Sequence, residues 1–135
     1  MDILLRTNAA DPALALRNVR SLGDGEAFEC LLDLRSGGFA LQREFWFEQA
    51  DLVEFVKRLR KMDGELAGDA ELRTRYEDNF VRIEVSSRAG EVTVSGVVRE
   101  YGSIDQQLRF KFITDQTVLR PLADDLSTLV RGSAP

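Results

Sequence analysis

The chain has 135 residues, 44% of them hydrophobic and 30% charged, a formal net charge of −5, a single cysteine and no histidine. That length suits one domain, for which about 100–200 residues is usual, and it allows a core that needs no disulfide or metal staple. Without histidine or a cysteine pair there is no Ser/His/Asp or Cys/His set and no structural zinc site; the acidic balance speaks against general nucleic-acid binding, and no apolar run nears the ~20 residues of a membrane span.

Met1–Asp11 has neither a basic start nor a long apolar segment, so no secretory signal is expected and the cytoplasm is the expected compartment. Asp2–Arg6 reads as a short strand with Ile3 and Leu5 in phase. Asn8 to Pro12 is a turn, because Asp-Pro favours turn initiation. Ala13–Leu22 alternates loosely and Glu26–Arg35 cleanly, through Phe28, Cys30, Leu32 and Leu34. Between them Asp24-Gly25 predicts a tight type I′ hairpin. Cys30 in this register is a buried thiol rather than a nucleophile. Ser36-Gly37-Gly38 turns the chain into a strand over Phe39–Glu48. Asp51, with Glu54 three residues on, predicts the start of a helix. Its apolar stripe is Leu52, Phe55, Leu59 and Met62, cations gather at Lys57, Arg58, Arg60 and Lys61, and Gly64 or Gly68 ends it.

Asp69–Tyr76 reads as a charged connector with at most a helical turn. Asn79–Ser87 is the next strand, with Val81, Ile83 and Val85 on one face. Ala89-Gly90 leads into a hairpin of Glu91–Tyr101, a turn at Gly102-Ser103, and Ile104–Ile113. Val92, Val94 and Val98 share one side of its first strand, and Leu108, Phe110 and Phe112 one side of its second. A helix over about Thr117–Val130 answers with Leu119, Leu122, Leu126 and Leu129. Pro121 is tolerated only near a helix N-terminus, which fixes the start close to Thr117, with Asp115 or Thr117 as its cap. Residues 132–135 read as a frayed tail.

The halves echo one another. Gly25, Gly37, Phe45 and Phe47 recur as Gly90, Gly102, Phe110 and Phe112, each 65 positions on, while the helix stripes recur at an offset of 67. Together these predict a repeated strand-turn-strand-helix unit, an internal duplication. Short turns between strands demand antiparallel pairing. The expected fold is α+β: a mostly antiparallel sheet of about seven strands with two helices on one face, order ββββαβββα, in one domain over residues 1–131.

If Phe45 and Phe47 face the helices, Trp46 faces away beside Glu44 and Gln42. The same logic turns Arg99, Tyr101, Arg109, Lys111, Arg82, Glu84, Glu29 and Asp33 outward. Outward tryptophan, tyrosine and arginine are the types enriched at binding hot spots. The candidate partner-binding residues are therefore Trp46, Glu44, Arg99, Tyr101, Arg109 and Lys111. The acidic run Asp63, Glu65, Asp69, Glu71, Glu77 and Asp78 is broken by Arg73 and Arg75 and reads as a solvated connector. Gly23-Asp24-Gly25 lacks the third glycine of a phosphate-cradling loop and fits a hairpin better. No catalytic, cofactor-binding or metal-binding set is expected.

The run Phe110-Lys111-Phe112-Ile113-Thr114-Asp115-Gln116-Thr117-Val118-Leu119, with the valine-rich hairpin before it, resembles the WapI-like immunity proteins of bacteria. The resemblance covers the C-terminal half. It implies a small cytoplasmic, non-enzymatic protein that binds and blocks one cognate toxin, and it supplies no catalytic residues to carry over. The poor inventory for catalysis and an acidic surface suited to a cationic partner agree with it. The competing expectation is a small-molecule-binding or carboxylate-based enzyme domain with its pocket between sheet and helices.

Overall fold

The computed structural model describes residues 1–74, 78–87, 89–102 and 105–133, with side chains described as far as Val130. Sequence expectations that fall on Arg75, Tyr76 and Glu77, on Ser103 and Ile104, and on the end of the tail lie outside the described residues. The elements are β1 (Ile3–Leu5), β2 (Ala13–Leu22), β3 (Ala27–Ser36), β4 (Phe39–Glu48), α1 (Gln49–Glu65), β5 (Asp69–Arg73), β6 (Phe80–Val85), β7 (Glu91–Glu100), β8 (Gln106–Asp115) and α2 (Leu119–Ser133). The α+β class, the antiparallel pairing and the positions of both helices match the expectation. The strand count and grouping differ: eight strands form two four-stranded sheets, in the orders β1-β2-β3-β4 and β5-β6-β7-β8.

The added strand is β5, within the stretch read as a connector. Ala70 and Leu72 point into the core while Asp69, Glu71 and Arg73 alternate outward. Two apolar positions among three charges are too few to give a readable period. Pairing with β6 supplies what the pattern lacks. One sheet becomes two because β4 runs straight into α1 and the chain returns beyond the helix. β4 and β5 do not pair; instead the buried Thr74 hydroxyl donates to the Trp46 carbonyl at 2.7 Å.

The repeat is real in architecture, though not at a single offset. β3 and β7 begin at Ala27 and Glu91, 64 apart, whereas β4 and β8 begin at Phe39 and Gln106, 67 apart. An odd offset between β3 and β7 would swap the faces of the sheet, so 65 cannot hold for that pair, although it does bring Phe45 and Phe47 onto Phe110 and Phe112, buried in β4 and β8. The two-residue turn at Gly37-Gly38 uses a φ of +62° at Gly37 that glycine adopts freely. The β7–β8 connection is longer. The β2–β3 hairpin also departs from expectation. Pairing stops at Leu22 and Ala27, so a four-residue loop replaces the type I′ turn.

One apolar cluster runs through both halves, drawing Ile3, Leu32, Phe45 and Phe47 from the first sheet, Ile83, Val92 and Val94 from the second, and the stripes of both helices. Phe110 packs over Gly96, its partner across β7 and β8; a Cβ there would clash with the ring at 2.6 Å and with the Phe80 carbonyl. The helices cross over. α1 follows the first sheet but lies against β5 of the second, and α2 follows the second but lies against β1 of the first. They meet each other through Arg60, which bonds Asp124 and Ser127 at 2.9 and 2.8 Å, and through Arg120 with Asp63 at 3.2 Å.

Helix ends differ slightly from their sequence signals. α1 starts at Gln49 with Glu48 in the cap position and no side-chain capping bond, so the Asp51–Glu54 pair lies inside the first turns. It closes at Leu66 in the left-handed region, with the Leu66 N–H donating to the Met62 carbonyl, and not at either glycine. Asp115 does cap the second helical segment. Its carboxylate accepts from the Thr117 N–H ahead of a 3-10 turn at Gln116–Val118.

Candidate partner-binding faces

The core faces of the two sheets look toward each other. Arg43 of β4 and Glu100 of β7 both point to the core side of their strands and form an ion pair at 3.6 Å. The outer faces therefore belong to different sides of the molecule, and the six candidate residues divide between them. Trp46 and Glu44 stand on the first sheet. Arg99, Tyr101, Arg109 and Lys111 stand on the second.

On the first sheet, β2 carries a bulge between Arg17 and Arg20, where the register against β3 shifts. Asn18 takes a φ of +54° there, a region that asparagine tolerates better than most side chains. Asp2 holds the bulge by accepting the Asn18 N–H at 2.9 Å. That bond is the main cause holding its carboxyl below the usual range, with Arg17 adding to it. Beside the bulge lies an open depression of about 380 Å³ lined by Asn18, Arg20, Glu29, Leu31, Glu44 and Trp46. Trp46 is half-buried and sits opposite Glu29, while Glu44 sits opposite Leu31. Arg20 pairs with Glu29, and Arg17 reaches Asp33 at 2.7 Å and Asp2 at 3.3 Å. Glu44 is exposed and forms no ion pair among the described residues; Arg20, in the same depression, is taken by Glu29.

The second outer face has the opposite balance. Four of its carboxylates are taken up: Glu71 by Arg73, Asp69 and Glu84 by Arg82, and Asp105 by Arg99 in a two-pronged contact of 3.1 and 2.8 Å, while Glu91 at the end of β7 accepts from the Ser86 hydroxyl. Asp105 raises the guanidinium pKa of Arg99, and Arg99 in turn holds the Asp105 carboxyl low. Arg99 also lies 5.2 Å from the centre of the Tyr101 ring. Arg109 and Lys111, opposite Val97 and Ser95, are exposed and have no carboxylate partner among the described residues. Ile113 continues this line at 56% exposure.

Sequence reasoning placed these side chains outward correctly but missed the bulge and with it Asn18, Arg20 and Leu31. An asparagine in the middle of a strand is the signal that would have found it, since strands disfavour that residue. Arg43 was also missed. Its Nε is buried on the core side without a hydrogen-bond partner among the described residues.

The Cys30 thiol is pushed up to about 12, first by burial and then by Glu29, and donates to the Phe45 carbonyl at 3.4 Å. Among the described residues no three Asp, Glu or Cys side chains converge as metal ligands would, and no helix is long and apolar enough to cross a membrane. The interior void between sheets and helices is about 20 Å³ and lined by side chains such as Leu16, Phe55, Ile83 and Leu126.

A family model for the immunity protein WapI-like family matches residues 9–131. The chain belongs to the WapI-like immunity protein family. The match reaches from the β1–β2 turn into the last turn of α2, so the resemblance seen in the C-terminal half extends over the N-terminal half as well. A comparison with curated protein sequences finds no match. Membership fits a molecule whose distinctive groups lie on outward sheet faces and whose interior is filled.

Proposed function

We propose that this WapI-like protein is a non-enzymatic immunity protein that neutralises a cognate bacterial toxin by binding it directly, in the cytoplasm. The observation that carries the reading is the family match over residues 9–131. The filled interior supports it. A void of about 20 Å³ has room for one water-sized guest, and its aliphatic lining offers nothing to orient a substrate. The alternative, an enzyme or metabolite-binding domain with a pocket between sheets and helices, would need far more room than that void offers; the depression of about 370 Å³ along α1 and the start of β5 is open to solvent. Binding through an outward sheet face suits the groups found there, an indole, a tyrosine and several arginines.

The test is co-expression with the toxin domain encoded beside this chain in its genome of origin. The expected result is restored growth and a complex that co-purifies in equal amounts. Restored growth without a complex, or recovery of a metabolite in place of a protein, would overturn direct binding.

A further inference from the structure

We propose that the depression beside the β2 bulge is a receptor for one arginine side chain of the protein partner. This deepens the partner-binding reading and rests on it. Leu31 forms an apolar floor and Trp46 an aromatic wall, suited to the methylene stem and the flat guanidinium face respectively. Glu44 stands at the rim without a counterion among the described residues, placed to accept the two-pronged donation that guanidinium makes to carboxylate. Glu29 adds a second carboxylate, already oriented by Arg20. A cation over indole is the strongest pairing of its kind. The nearest unpaired cation on this face is Arg35, four residues along β3 from Leu31 and so roughly 13 Å away. It leaves the charge at Glu44 uncompensated.

The bulge makes the receptor. A regular β2 would run level beside β3. With Asn18 in the left-handed region and Asp2 tying its N–H, the strand bends and opens the space that Trp46 and Glu44 overlook.

The experiment follows Trp46 fluorescence in the intact protein during titration with N-acetyl-arginine amide, and with N-acetyl-citrulline amide as the uncharged isostere. A saturable millimolar response to arginine, weaker for citrulline and for the Glu44→Gln protein by about fivefold, is the expected result. Lys57→Gln, at an exposed position of α1, should leave it unchanged. Equal responses to arginine and citrulline, or an unaltered response in Glu44→Gln, would overturn the proposal. Toxin neutralisation is read separately. Its persistence beside a failed titration would remove the receptor and leave partner binding, while its absence beside a successful titration would remove the toxin reading alone.

Discussion

The two outer faces are built on one plan and finished with opposite chemistry. On the first sheet every arginine near the depression is committed to a carboxylate, and a glutamate is left over. On the second sheet Glu71, Asp69, Glu84 and Asp105 are each committed to an arginine, and Arg109 and Lys111 are left over among the described residues. Pairing within one face costs little and gains little, so the leftover charge is what each face offers to a partner. The bulge adds a difference of shape, because it hollows the first face beside Trp46. A fold repeated for stability can thus carry two unlike surfaces.

What the faces share should break first. Leu122 is buried in the cluster common to both sheets, and replacing a buried leucine with a charge forfeits about 1.5–3 kcal/mol of burial before any cost of the charge itself. Against a total stability of about 5–15 kcal/mol, Leu122→Asp should unfold much of the population. Because each helix lies on the other half's sheet, we propose that the halves fold as one unit. Circular dichroism and Trp46 emission should then be lost in a single transition. Survival of the first-sheet signal alone would contradict this.

The next prediction separates the faces. Glu44→Lys should weaken toxin binding by about tenfold in calorimetry, whereas Lys111→Glu should change it by less than about threefold. The reverse ranking would move the interface to the second sheet. Shape comes third. Asn18→Val puts a β-branched side chain at φ +54° and should cost about 1–2 kcal/mol in denaturant unfolding, while Asn18→Gly should be near neutral.

A smaller effect is expected at the Asp115 cap. Asp115→Ala should lower the melting temperature by a few degrees at neutral pH. Its bonds to Thr117, and that from Asn8, hold the folded carboxyl below its ordinary 3.8. The stabilisation is therefore complete above that value and disappears as pH falls through the lower folded pKa, where wild type and variant should converge.

Much of this was legible in the sequence because the strongest signals are periodic. The alternation of Phe28, Cys30, Leu32 and Leu34 and the stripe of Leu119, Leu122, Leu126 and Leu129 each state which side is buried, and all eight are. Where tertiary pairing supplies the order, the pattern falls silent. β5 has two inward positions, so its charges dominated the reading. Asn18 breaks an alternation by one residue, and the loose phase of β2 was the trace of that break. The family resemblance rested on the stretch from Phe110 to Leu119, where strand, cap and helix start leave successive signatures. Which face meets a partner depends on charges left unpaired across strands, and that follows from register, which no local spacing reveals.

The most direct test is amide chemical-shift mapping of the protein bound to its cognate toxin domain. The account predicts the largest changes at Asn18–Arg20, Glu29–Leu31 and Glu44–Trp46, with Arg109 and Lys111 little affected. Changes concentrated along β8, with the region of the bulge untouched, would contradict it.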